Sequence, residues 1–281
     1  MTFIEQLAKA ETINQSLLCV GLDPDPARFP GAWQHDANRI FDFCATIVDA
    51  TRDLVLAFKP QIAHFAAHRA EEQLERLIAH MHRVAPDVPV ILDAKRGDIG
   101  STAEQYAVEA FERYQADAVT LSPFLGFDSI EPYLRHEGKG VFVLCRTSNP
   151  GGDDLQARRL AGAGDGDGEM LYELIARLAS SEWNRNGQLG LVVGATYPAE
   201  IARVRELAPQ LPLLIPGVGA QGGDALSTVR SGWRGDAGRT TAPIVVNSSR
   251  AILYASRGNE FAEAARAAAI ATRDTLNAAR R

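Results

Sequence analysis

The chain lacks an excess of positive charge, a long apolar run and a cysteine framework, and each absence removes a class of protein. Its 281 residues hold 29 Lys and Arg against 35 Asp and Glu, a formal net charge of −6. With a pI near 5.6, general binding to nucleic acid by phosphate neutralisation is not expected. No apolar stretch approaches the ~18 residues of a membrane span. Cys19, Cys44 and Cys145 are too few and too scattered for a disulfide framework or a zinc knuckle, and read as buried thiols in a reducing compartment. Met1 to Thr12 carries Glu5, Lys9 and Glu11 among apolar residues, the pattern of an amphipathic helix and not of a signal peptide. A cytoplasmic location is expected.

What is present is the composition of a folded protein, 46% hydrophobic and 23% charged. Short β-rich runs recur at Leu17–Gly21, Leu54–Lys59, Val88–Asp93, Ala118–Ser122, Gly140–Cys145, Gly190–Gly194, Pro212–Pro216 and Pro243–Asn247. Between them lie stretches of helical spacing, among them Ala37–Asp53, Gln61–Val84, Ser101–Gln115, Gly168–Arg185 and Ala199–Leu207, with an Ala-rich helix from about Glu260 to Ala279 closing the chain. Strict alternation implies parallel strands joined by right-handed crossovers, and eight such units close without leaving an edge. An open doubly wound sheet would place phosphate-binding glycines after its first strand. That strand is followed by Leu22-Asp23-Pro24-Asp25-Pro26, so the expected fold is an α/β, single (β/α)8 TIM barrel, one domain over residues 1–281. Pro150 to Gly168, polar and rich in glycine, is expected as an irregular insertion on the catalytic face, read either as lid-like or as a tolerated surface loop.

The most unusual segment is Asp93-Ala94-Lys95-Arg96-Gly97-Asp98-Ile99-Gly100 at the end of the third strand. If strand geometry continues, Asp93 and Lys95 point the same way into the barrel mouth, where this fold keeps its chemistry. Lys59 closes the preceding strand. A single charge at a strand end is usually a solvated rim residue. Lys59, Asp93, Lys95 and Asp98 on neighbouring strands would instead form an alternating array, costly to desolvate and usually kept for a purpose. Pro216-Gly217-Val218-Gly219-Ala220-Gln221-Gly222-Gly223 follows the seventh strand and Asn247-Ser248-Ser249-Arg250 ends the eighth. These two loops commonly build a phosphate site in barrels, and Arg250 can add a charge-assisted grip.

Asp93-x-Lys95-x-x-Asp98-Ile99, preceded by Lys59, resembles the signature of the orotidine 5′-phosphate decarboxylase family. With Gly100-Ser101-Thr102 and Thr147-Ser148-Asn149-Pro150 it is similar to the longer bacterial branch. The resemblance runs from about Leu17 to Arg250. It implies decarboxylation of orotidine 5′-phosphate to uridine 5′-phosphate in pyrimidine synthesis, without a cofactor or metal. In the family's terms Lys95 is the ammonium facing the developing carbanion, Asp93 lies beside the departing carboxylate, and Lys59 and Asp98 complete the network. By the same resemblance Asp23 is expected to hold the ribose, Ser148 to read the pyrimidine edge, and Gln221 and Arg250 to contact the phosphate. The resemblance further implies a homodimer in which Asp98, Ile99 and Thr102 reach across the interface into the partner's site.

Two other readings are open to the sequence. A magnesium-dependent sugar-phosphate decarboxylase or aldolase of the same superfamily needs a metal-binding acid just before Asp93, where Ile91 and Leu92 stand. A phosphate-binding barrel without activity would not need the charged set. His64 and His68 are four apart, with His80 and His82 following, yet no His-Glu-x-x-His arrangement accompanies them. They are expected on a helix surface or an interface.

Overall fold

The structure, a computed structural model, describes residues 1–161, 168–218, 222–236, 239–240 and 243–280. Eight parallel strands, β1 (Leu18–Leu22), β2 (Ala57–Pro60), β3 (Ile91–Arg96), β4 (Ala118–Leu121), β5 (Gly140–Arg146), β6 (Leu189–Val193), β7 (Leu213–Pro216) and β8 (Ile244–Ser248), pair in the order β2-β1-β8-β7-β6-β5-β4-β3. The two ends meet through parallel bridges, Phe58 with Val90 and Gln61 with Asp93. The barrel expected from the alternation is therefore formed.

Side chains on a strand alternate between faces, and that period builds the interior in layers. One residue from each strand, Cys19, Ala57, Ile91, Ala118, Phe142, Val192, Leu214 and Val245, joins a single apolar cluster inside the barrel. The N-terminal helix Phe3–Asn14 plugs its floor with Phe3, Leu7 and Ala10. That helix starts in a reciprocal cap, with Thr2 accepting from the Glu5 N–H and Glu5 accepting from the Thr2 N–H. Phe3 stands edge-on to Phe142, with centroids 5.7 Å apart and planes at 87°. Gly140 makes room for it, because a methyl there would run into the Phe3 ring. Gly140→Ala is expected to overpack this floor and cost about 1–3 kcal/mol, measured as a lower urea midpoint.

The opposite faces of the strands, including Val20, Phe58, Leu92, Val119, Val143, Val193, Ile215 and Val246, pack outward in one shared cluster with residues of the surrounding helices. Apolar on both faces, these strands read as unbroken hydrophobic runs. Burial also pushes the Cys19 thiol up to about 12, and all three cysteines are buried and free.

Two segments differ from expectation. The single helix expected over Gln61–Val84 is broken into Ile62–Ala66 and Glu71–Val84. Arg69, at φ 53°, turns the chain left-handed between them without a glycine or proline to mark the break. In the insertion, Pro150–Asp154 forms a 3-10 turn in place of loose chain. Asp153 accepts from buried Arg146 at 2.5 Å, and Gln156 accepts from the Thr147 N–H at 2.8 Å. Residues 162–167 of the expected lid lie outside the described residues.

Candidate active site

Two residues further along each strand from the apolar layer, the same inward face carries Gly21, Lys59, Asp93, Thr120, Leu144, Gly194, Pro216 and Asn247. Lys59, Asp93, Leu144, Pro216 and Asn247 line a cleft of about 990 Å³ at the C-terminal mouth of the barrel. Chemistry begins where the interior turns from apolar to polar.

Asp93 is the centre of this layer. Its Oδ2 accepts from Lys59 Nζ at 2.7 Å, and its Oδ1 accepts from Lys95 Nζ at 2.6 Å and from the Thr120 hydroxyl at 2.8 Å. Burial pushes this carboxyl up, but the ammonium groups of Lys59 and Lys95 outweigh it and hold Asp93 well below the usual carboxylate range. Burial likewise works against the charge on Lys59. The carboxylates of Asp93 and Asp23 overcome that penalty and raise it above the usual lysine range. The Lys59 side chain is 5% exposed and that of Lys95 46%. Both ammonium groups line the cleft, Lys59 in its depth and Lys95 nearer to solvent.

Asp93 and Lys95 meet, but not by continuation of the strand. Lys95 has a left-handed backbone, φ 47°, and the β3–β4 register shifts between Leu92 and Arg96. The pleat is interrupted by a bulge, which re-aims the lysine locally.

Of the other expected residues, Asp23, Ser148 and Arg250 line the same cleft, with Thr147 and Asn149 beside Ser148. The Tyr254 hydroxyl donates to the Asp23 carbonyl at 2.9 Å and accepts from the Asp25 N–H at 2.7 Å, fixing the turn after β1. Gly194 lets β6 approach Ser148, since a Cβ there would lie 2.6 Å from the serine backbone. Gln221 lies outside the described residues, although Pro216, Gly217 and Val218 from its loop line the cleft. Asp98, Ile99 and Thr102 are not part of the lining in this chain. Ile99 and Thr102 are exposed, and Asp98 accepts from the Ile99 N–H. Three of the four charges expected to converge do so here, and the fourth stands apart.

Sequence reasoning does not assign Thr120, Gln61 or His64 to the site, and takes Asn247 only as the start of the loop that carries Arg250. Asn247 and Asp23 both line the cleft, and Oδ1 of each is buried without a hydrogen-bond partner among the described residues. Such acceptors suit a ligand rich in hydroxyl or N–H donors. His64 lies in the first turn of the helix after β2 and lines the mouth, with Nδ1 3.1 Å from the Pro24 carbonyl. His80 and His82 instead tie elements together through Asp49 at 2.8 Å and Asp117 at 3.0 Å. Among the described residues no group of three His, Cys, Asp or Glu side chains gathers as metal ligands, and none of the helices is long and apolar enough to cross a membrane.

Comparison with known proteins agrees with the geometry. The description Orotidine 5′-phosphate decarboxylase / HUMPS family matches residues 16–267. Orotidine 5′-phosphate decarboxylase of Leptothrix cholodnii is 74% identical over 281 residues, covering 99% of this chain and 98% of that protein. The protein of the same name from Methylibium petroleiphilum is 73% identical, and the match covers 100% of both. The structure of Leishmania donovani OMP decarboxylase superposes with a TM-score of 0.83 at 39% identity, covering 100% of this chain and 99% of that one. The chain belongs to the orotidine 5′-phosphate decarboxylase / HUMPS family.

Proposed function

We infer that the protein converts orotidine 5′-phosphate to uridine 5′-phosphate and carbon dioxide, a step of pyrimidine biosynthesis. The observation that carries this reading is Asp93 held between the ammonium groups of Lys59 and Lys95 on the wall of a cleft that also contains Arg250. The carbon–carboxylate bond of the pyrimidine breaks with its electron pair left on the ring carbon. No adjacent carbonyl delocalises that pair, so fixed charge must stabilise it. Lys95 Nζ supplies the charge, and an N–H of the same group delivers the proton that replaces carbon dioxide. Asp93 orients Lys95 and stands beside the departing carboxylate, while Lys59 fixes Asp93 from below.

Asp23 receives the ribose hydroxyls, Ser148 the pyrimidine edge, and Arg250 with Gln221 the phosphate. Gripping the phosphate far from the reacting carbon supplies binding energy for orientation at the reacting end. Arg250→Ala is expected to raise KM by about 10–100-fold, the weight of a charge-assisted contact, with a smaller change in kcat. An unchanged KM removes the phosphate role from Arg250.

The assembly proposed is a homodimer of single-domain chains in the cytoplasm, with Asp98, Ile99 and Thr102 serving the partner's site. Exposed apolar Ile99, Phe124 and Leu125 on the loops after β3 and β4 support a covered face there. Neither nucleic acid nor membrane is a partner in this reading.

The reaction is cofactor-free in this account, and the test follows from that. Purified protein kept in excess chelator is expected to form uridine 5′-phosphate from orotidine 5′-phosphate at an undiminished rate. Activity that collapses with chelator and returns with magnesium, on a ketose phosphate, overturns it.

A further inference from the structure

The bulge that carries Lys95 has an unusual count. The β3–β4 ladder runs from Leu92 opposite Val119 directly to Arg96 opposite Leu121. Asp93, Ala94 and Lys95 therefore face a single residue, Thr120. Such a bulge removes ladder partners from the backbone, and buried N–H groups must find others. One hydroxyl takes them up: Thr120 Oγ1 accepts from the Ala94 N–H at 3.1 Å and from the Lys95 N–H at 3.0 Å. The same oxygen donates its proton to Asp93 Oδ1 at 2.8 Å, the carboxylate oxygen that also holds Lys95 Nζ. A valine in this position would match the shape and the strand propensity but offer neither bond. Thr120 is 1% exposed, so water is poorly placed to substitute.

We propose that Thr120 is a positioning residue for Lys95: its hydroxyl fixes the left-handed backbone at Lys95 from one side and the carboxylate that anchors the ammonium from the other. The left-handed region is disfavoured for a lysine and persists where the surroundings impose it. Here the imposed contacts converge on one oxygen. The importance of Thr120 for turnover rests on the decarboxylase reading above; its hold on the geometry of Lys95 does not.

The test uses Thr120→Val and Thr120→Ser in the full chain, with crystal structures and steady-state kinetics of each. In Thr120→Val, Lys95 is expected to leave the left-handed region or its Nζ to leave hydrogen-bond distance of Asp93. In the same variant kcat falls about a hundredfold, the scale of a small misplacement of a reacting group. KM and the affinity for uridine 5′-phosphate stay within about threefold, because the phosphate grip is elsewhere. Thr120→Ser, which keeps the hydroxyl, restores both geometry and rate. If Thr120→Val yields no folded protein, Thr120→Cys, a weak donor of similar shape, takes its place.

A valine variant that keeps the bulge, the ion pair and full kcat overturns the proposal. So does a serine variant as impaired as valine, which assigns the effect to the lost methyl group. A parallel loss of kcat and of product affinity also overturns it, as general loosening of the mouth. Wild-type protein inactive on orotidine 5′-phosphate defeats the functional reading alone, and the backbone at Lys95 in the variants still decides the role of Thr120.

Discussion

Lys95→Met is expected to abolish nearly all turnover in a protein that remains folded. The side chain serves twice, as fixed charge at the developing carbanion and as the proton donor. Electrostatic stabilisation of this kind is worth about 10²–10³ in rate and general acid catalysis about 10²–10⁴. A loss of kcat of about 10⁴ or more is therefore expected. Stability should barely change. Lys95 is half exposed and Asp93 keeps its contacts to Lys59 and Thr120, so the lost pair is worth at most about 1 kcal/mol and Tm moves by no more than about 4 °C. Single-turnover decarboxylation and a thermal melt of the same preparation check both halves.

Asp93→Ala has the opposite balance. Lys59 is buried, and its charge is retained chiefly because Asp93 lies 2.7 Å away, with a smaller contribution from Asp23. Removing the carboxylate strands that ammonium, at a cost of about 3–5 kcal/mol. Removing both charges together costs far less, since the burial penalty disappears with the attraction. The double variant Lys59→Met with Asp93→Leu is therefore expected to recover most of the lost stability and none of the activity. Recovery of activity would detach the array from catalysis.

The sign of the pH effect follows from the two shifts. Asp93 is lowered, so its contribution is present above the ordinary carboxylate value near 3.9 and fades only as pH falls through its own lower value. Lys59 is raised, so its contribution is complete below the ordinary lysine value near 10.4 and fades only as pH rises beyond it. The unfolding free-energy gap between wild type and the double variant should thus be flat from about pH 5 to pH 9. Urea titrations at the two ends and the middle of that window measure it.

The barrel was legible because most of its strands are apolar runs and because strand and helix alternate along the chain, interrupted among the described residues by the short antiparallel pair Gly235–Asp236 and Arg239–Thr240 before the last barrel strand. The floor of the site was legible only in part, since Lys59 and Asp93 are expected there from their charge and the rest of the layer emerges from the structure. Counting two positions on from Cys19, Ala57, Ile91, Ala118 and Val245 reaches Gly21, Lys59, Asp93, Thr120 and Asn247, the layer where the interior changes chemistry. Thr120 escaped notice because an uncharged hydroxyl inside β4 looks like an ordinary strand residue, and Asn247 reads only as the start of the loop that carries Arg250. The bulge at Lys95 left no glycine or proline in the sequence, and neither did the left-handed break at Arg69. Both are imposed by tertiary contacts, which local propensity does not record.

In the proposed reaction the Lys95 ammonium exchanges a proton with the ring carbon that loses carbon dioxide. Microscopic reversibility offers a direct measurement. Uridine 5′-phosphate incubated with the protein in deuterium oxide should lose its proton signal at that carbon, followed by nuclear magnetic resonance. The expected result is exchange with wild type and none above background with Lys95→Met. Equal exchange with both proteins would contradict the assignment of Lys95 as the proton donor.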